Sequence, residues 1–459
     1  MKYSQVNGSF PPERTTTMQI ENRVLNQTNQ PRGGYRWVIL GLVFFATTVN
    51  YLDRQVISLL KDDYLEPLFG WSETDYANIV VVFQLTYAIG MLGVGWIIDR
   101  IGTKLGYAFS LLVWSFAAIG HAFAKSTFGF MVARGVLGVS EAGNFPSAIK
   151  TVAEWFPKRE RALATGIFNS GTNVGAIIAP LTVPLIALWW GWQWAFLLTG
   201  SIGLLWLIFW FSMYEIPSKH RRLKKTEYDY IHSDEDETAE AARGNEKVSW
   251  FKLLTYRQTW AFVSGKFLTD PVWWFYLFWL PTFLNKQYGM SKTDLALPVA
   301  VVYSMTTVGS VFGGWLSGNL IKRGWEVYKA RRGAMLVFAL CVLPVVTAQA
   351  LGEYSHWFAI LIVGFAASAH QAWSANIFTT TSDMFPKKAV ASVTGLGGMA
   401  GGIGGILIAR TAGALLDHYK ALGSIETGYY IMFILCGSLY LVAWVVFNLL
   451  APKMRRVEL

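Results

Sequence analysis

Charge and cysteine are what this chain is short of. Of 459 residues only 15% are charged, and only two, Cys341 and Cys436, are cysteine. Each lies inside an apolar block without metal-ligand company, so a disulfide framework is excluded and no metal site is expected. The six histidines are scattered, and no nucleophile stands with a base, as an enzyme would need. Residues 1–35 are polar and lack the apolar stretch of a secretory signal. What the chain does have is apolar bulk: 53% of it is hydrophobic, too much for a soluble protein of this size.

The apolar residues come in blocks long enough to cross ~30 Å of hydrocarbon. Twelve are expected, at about 36–60, 74–98, 105–124, 127–149, 162–188, 194–214, 258–284, 295–320, 333–351, 356–381, 392–415 and 427–450. The fold class is therefore an all-α membrane protein. The net charge of +10 raises the question of nucleic acid, and its distribution answers it. With the N-terminus cytoplasmic, both termini and the connections on that side hold 30 of the 39 Lys and Arg; the other side holds six, and three lie within spans. That asymmetry is a topology signal that places both ends in the cytoplasm. No nucleic-acid partner is expected; the lipid bilayer is.

Three spans, the first, fourth and seventh, carry charges at membrane depth, where each costs at least ~2.5–3.5 kcal/mol on insertion scales. In the fourth, Arg134 and Glu141 lie seven residues apart, on one helix face about 10 Å apart along the axis. They read either as an ion pair that joins helices or as a polar pathway in which Arg134 holds an anion and Glu141 handles a proton. In the first, Asn50-Tyr51-Leu52-Asp53-Arg54 puts an acid beside a base about 25 Å along the helix. Adjacent positions point about 100° apart, so one faces a cavity and the other a neighbouring helix, or both reach the outer interface.

Other features are more open. Tyr87 in the second span is a ligand contact or a packed aromatic. Gly95, Asp99, Arg100, Gly102 and Lys104 form a tight two-helix connection with alternating charge, in which Asp99 suits a nearby helix N-terminus; its expected role is conformational. In the fifth span Asn169 and Asn173 interleave with glycines, and Pro180 and Pro184 mark a kink. Residues 215–257, basic at the front and acidic from Asp234 to Glu240, read as a cytoplasmic linker with solvated charges. In the seventh span Lys266 and Asp270 are spaced to pair, mainly as a structural element. Pro271 is expected to break that helix, and Trp273, Trp274 and Tyr276 form an aromatic wall or simple packing.

The chain repeats itself at an offset of 229 residues: Trp155-Phe-Pro-Lys-Arg159 before Thr165-Gly166 matches Met384-Phe-Pro-Lys-Lys388 before Thr394-Gly395. The same offset carries Glu141 onto His370 and Arg134 onto Val363. The second half has lost the charged pair and offers His370, Gln371, Trp373, Ser374 and Asn376 instead. Twelve transmembrane helices in two six-helix pseudo-symmetric halves follow: a tail at 1–35, a bundle at 36–214, the linker at 215–257, a bundle at 258–450 and a tail at 451–459.

Gly95…Asp99-Arg100…Gly102…Lys104 with the six-plus-six repeat resembles the major facilitator superfamily. Asn50-Tyr-Leu-Asp-Arg54, Arg134-Gly-Val-Leu-Gly-Val-Ser-Glu141 and Glu154-Trp-Phe-Pro-Lys-Arg-Glu-Arg161 resemble its anion:cation symporter family. Gly265 to Tyr276 together with His370-Gln-Ala-Trp-Ser-Ala-Asn376 resembles the bacterial hexuronate transporters. The resemblance implies uptake of a sugar acid such as galacturonate or glucuronate by alternating access, driven by a proton gradient with no cofactor, by a monomer of the bacterial inner membrane. It implies proton coupling at Asp53 and Glu141. Substrate contact is expected at Arg54, Tyr87, Arg134, Asn169, Asn173, Trp274, Tyr276, His370, Gln371, Trp373 and Asn376. The alternatives are another organic anion (galactonate, glucarate, tartrate), or exchange without proton drive.

Overall fold

A computed structural model describes residues 34–71, 73–233, 250–290 and 292–458. The tail before residue 34 and the acidic Asp234–Glu240 stretch of the linker lie outside the described residues.

Among the described residues, helix is the only extended regular structure. The N-terminal half comprises α1 (Tyr35–Leu60), α2 (Glu73–Ile101), α3 (Thr103–Gly120), α4 (Thr127–Glu141), α5 (Asn144–Trp155), α6 (Lys158–Trp190) and α7 (Trp192–Met213). A short α8 (Lys225–Ile231) follows in the linker. The C-terminal half comprises α9 (Arg257–Tyr288), α10 (Lys292–Lys322), α11 (Val327–Val342), α12 (His356–Met384), α13 (Val390–Ala421) and α14 (Ile425–Leu450).

Nine helices among the described residues are long and apolar enough to cross a membrane, and α6, bent by 40° at Pro180, makes a tenth. The kink expected there is present. The fourth and seventh spans of the twelve-helix fold are not among these ten. The fourth, expected as one helix, is broken into α4 and α5 at Ala142-Gly143. Pro146 has no N–H to return to the Ala142 carbonyl, and it sits in the first turn of α5, where that lack is tolerated. The seventh, α9, carries Lys266 and Asp270 at its middle. It runs without interruption past Pro271, contrary to the expected break. The carbonyl that Pro271 leaves without a helical donor belongs to Phe267, and Gly404 of α13 packs directly against that oxygen.

The halves meet along α6 against α10 and α2 against α13, with α12 also packed on α6. Glycines permit these crossings. A Cβ at Gly95, Gly166, Gly314 or Gly395 would collide with the carbonyl of Ala391, Ser310, Ala162 or Met91 respectively, each on the opposite half. These contacts concentrate at the end that carries the chain termini and the basic loops, and ion-dipole bonds reinforce them. Arg161 donates to Ser382 O at 2.7 Å, and Arg331 donates to Lys158 O at 2.8 Å while paired with Asp383.

Linker charges, expected to be solvated, are not all so. Glu227 on α8 is buried and accepts from Tyr35 N, Arg36 N and Arg36 Nη1 at 3.0–3.1 Å. Arg36 also meets Glu160, whose other oxygen receives Tyr230 OH, so the start of the linker is tied to the starts of α1 and α6.

Candidate functional site

A cavity of about 310 Å³ lies between the halves, a size suited to one small ligand. The N-terminal half lines it with Tyr51, Arg54, Gln84, Tyr87, Phe145 and Asn169, among others. The C-terminal half contributes Lys266, Asp270, Trp273, Trp274, His370 and Gln371. Asn169 Nδ2 donates to Gln371 Oε1 at 2.6 Å, and Phe145 stacks on Phe378 at 5.4 Å, so the two halves touch within the lining itself. In the other direction the lining runs to Val80 on α2 and Ile406 on α13.

Arg54 is the cation of the N-terminal wall. Glu141, fully buried, receives its Nε at 3.0 Å and one terminal nitrogen at 2.8 Å through the same oxygen, Oε2. The rings of Tyr51, Phe83 and Tyr87 surround the guanidinium at 4.7–5.1 Å, a cation–π setting that holds it toward the cavity. The α4 break places Glu141 on the last residue of that helix, and its second oxygen, Oε1, meets no donor.

Arg134 was expected to hold an anion on the same face as Glu141. Instead it is buried beneath Arg54 and donates to the Arg54 carbonyl at 2.8 Å, with Phe83 at 5.4 Å from its guanidinium. It braces the α1 backbone that presents Arg54, and in this conformation it does not line the cavity. Asp53 points away from the cavity, beside Thr199 of α7, as the roughly 100° between neighbouring positions allows. It is 2% exposed and neither carboxylate oxygen meets a hydrogen-bond donor.

On the C-terminal wall, His370 stacks on Trp273 with ring centroids 5.3 Å apart and shares a 2.5 Å hydrogen bond with Tyr440 OH. Trp274 lies against Gly405 of α13, where a Cβ would strike the indole. The Lys266–Asp270 pair forms as its spacing predicts, at 2.8 Å, yet both residues belong to the cavity wall. Besides Arg134, four expected contacts are elsewhere in this conformation. Asn173, Tyr276 and Trp373 are buried in helix packing, and Asn376 pins α12 to the Gly313 carbonyl of α10 at 2.8 Å. Each sits on a polar-rich span, which is why its type alone suggested recognition.

The α2–α3 connection behaves as a clasp. Asp99 accepts Lys150 Nζ at 2.7 Å within its own half, and across the interface it accepts the Ser392 N–H at 2.7 Å and hydroxyl at 2.6 Å. Ser392 lies in the first turn of α13, the helix N-terminus that an acid suits. Gly102 takes φ +88, and Arg100 stacks on Trp96 at 3.9 Å. Lys104 pairs with Glu215 at 2.9 Å, which holds that carboxyl below its ordinary range.

Two bundles of spans around a central charged cavity, closed at one end by a clasp between them, define a polytopic secondary carrier. The family profile described as Major Facilitator Superfamily matches residues 43–409, and the chain belongs to that superfamily, whose members here are transporters and not enzymes. Among its relatives is a hexuronate transporter of Escherichia coli (strain K12), 31% identical over 385 residues, covering 84% of this chain and 88% of that protein. A galacturonate transporter of Dickeya chrysanthemi is 33% identical over 283 residues, 62% of this chain and 81% of its own. In fold, the chain is similar to the proton:xylose symporter XylE bound to 6-bromo-6-deoxy-D-glucose, with a TM-score of 0.69, 15% identity, and coverage of 90% of this chain and 94% of that one.

Proposed function

We propose that the protein imports a sugar acid, a hexuronate such as galacturonate or glucuronate, together with protons. One observation carries the reading: Arg54 presents its guanidinium to a cavity of sugar size while a fully buried carboxylate holds it from behind. A guanidinium in that position suits a carboxylate ligand. Relatives named for hexuronate and galacturonate support the substrate class.

Charge accounting supports the coupling. Arg54, Lys266 and Asp270 line the cavity and Arg134, Asp53 and Glu141 lie behind its wall, so three basic groups are matched by three acids and their charges cancel when all are ionised. An anion that enters leaves a net negative charge at membrane depth, which is costly. A proton on Asp53 or Glu141 removes it. Against an inside-negative potential, import of a bare anion costs about 2.3 kcal/mol per 100 mV, and two protons reverse the sign for a monoanion. The basic end is assigned to the cytoplasm by the loop charges. With the clasp closed there, the cavity serves the outward-facing state.

Uptake by the purified protein in liposomes tests the reading, with galacturonate, glucuronate, galactonate, glucarate and neutral hexoses compared under an imposed pH gradient. Hexuronate accumulation that collapses with the gradient is the expected result. Robust uptake of glucose or galactose without competition from hexuronates overturns it.

A further inference from the structure

Two ion pairs face the same cavity, and they face it in opposite order. In the Arg54–Glu141 pair the cation is in front: its side chain is 15% exposed and that of Glu141 is 0%. In the Lys266–Asp270 pair the acid is in front: Asp270 is 18% exposed and Lys266 4%. Lys266 is held back by the Phe378 ring, 3.9 Å from its ammonium. Asp270 is held forward by α13, where Gly401 leaves room for Oδ2 that any Cβ would fill. Tyr51, with Arg54 over its ring at 4.7 Å, lines the same cavity as Asp270.

We propose that Lys266 and Asp270 form a second ligand-contacting pole, in which Asp270 accepts hydroxyl groups and repels a second carboxylate, so that the cavity selects anions with one acid group and a polyhydroxylated body. The assignment rests on the sugar-acid reading above and deepens it. An ionised carboxylate only accepts hydrogen bonds, and hydroxyls are the donors that a sugar supplies. Like charges brought together at a desolvated contact are strongly disfavoured, which makes Asp270 the element that discriminates against a dicarboxylate. Lys266 holds Asp270 in place through the 2.8 Å pair, and Asp270 in turn masks Lys266 as an anion site. Trp273, Trp274 and His370 flank the pair, with flat faces suited to the body of a sugar.

Masking makes a directional prediction that a merely structural pair does not. Asp270→Asn exposes Lys266 as a second cation in a cavity that already holds Arg54, an arrangement that suits a dicarboxylate. The double variant Lys266→Gln/Asp270→Asn removes the repulsion without leaving a lone buried charge. The experiment measures inhibition of labelled galacturonate counterflow in proteoliposomes by unlabelled galacturonate and by galactarate, a dicarboxylate of the same carbon skeleton.

In the wild type, galactarate is expected to be at least about tenfold the weaker inhibitor, as a built polar contact discriminates. In the double variant galacturonate weakens about tenfold while galactarate is unchanged, so the ratio approaches one. In Asp270→Asn galactarate strengthens and the ratio inverts. The double variant carries the test alone if the single variant does not fold. A wild-type ratio in the double variant, or equal weakening of both inhibitors, overturns the assignment while the sugar-acid reading stands. Absence of any sugar-acid exchange by the wild type overturns that reading and this assignment with it.

Discussion

At one position of the internal repeat the N-terminal half places Glu141, fully buried against Arg54, and the C-terminal half places His370, stacked on Trp273 and bonded to Tyr440. The backbone plan is shared and the chemistry is not. The first half gathers Asp53, Arg54, Arg134 and Glu141 where three elements meet, and two of its carboxylate groups have oxygens without donors. The second half has a local i,i+4 pair, an aromatic wall and an imidazole whose ring is fixed on two sides. The cavity therefore has a cluster of four charged residues at one wall and a local ion pair, aromatic rings and an imidazole at the other.

The comparison breaks most sharply at Arg54. Replacement by Ala removes the cation of the N-terminal wall and strands Glu141 as an unpaired buried acid, so uptake and exchange should both fall about 100-fold or more. Lys in its place should not restore them, because an ammonium reproduces neither the two contacts to Oε2 nor the ring stacking. Radiolabelled uptake and counterflow check this; a wild-type Arg54→Lys variant would place the anion elsewhere.

A smaller effect is expected where the halves are tied together. Arg161 donates to Phe156 O and Ala153 O in its own half and to Ser382 O in the other. Arg161→Ala should lower thermal stability, with about 1.5–3 kcal/mol lost from charged hydrogen bonds. It should also shift the population toward the state open at the basic end. Thiol labelling of a cysteine at buried Thr379, which meets Thr165 across the interface, reports the second effect. Unchanged labelling would mean that the glycine contacts alone close that end.

The smallest effect belongs to Lys104 and Glu215. The Lys104 hydrogen bond lowers the Glu215 carboxyl, so its contribution is present above the ordinary carboxylate range and is lost as pH falls through the depressed value. Both groups are substantially solvated, so screening keeps the contribution below about 1 kcal/mol. Lys104→Ala should flatten the acid limb of a melting-temperature profile slightly. A larger loss would assign the pair a part in the clasp.

How much of this was legible in the sequence varied with the physics involved. Span count, repeat and kink were readable because hydropathy and proline act locally, and the Asp99 cap was readable from its place beside a turn. The break after Glu141 was not, because the fourth span's apolar run continues through it and only Pro146 marks the released carbonyl. At Pro271 the local rule misled: the helix runs on past it, with Gly404, 133 residues away, packed against the Phe267 carbonyl. Arg134 and Arg54 look alike in sequence, and only packing shows that one braces the other's backbone. The pairing of Lys266 with Asp270 follows from spacing, whereas their order of exposure depends on Phe378 and Gly401 from two other helices. Buried Glu227 was hidden in a stretch whose composition is that of a solvated linker.

Proton coupling at Glu141 is the central claim, and Glu141→Gln tests it most directly. The amide keeps shape and one acceptor for Arg54 and fixes the group as neutral. Uphill uptake under a pH gradient and substrate counterflow are compared in the same liposomes. Exchange returns the loaded carrier without proton release, so the account predicts that counterflow persists while pH-driven accumulation is lost. Equal loss in both assays, or normal accumulation, would contradict it.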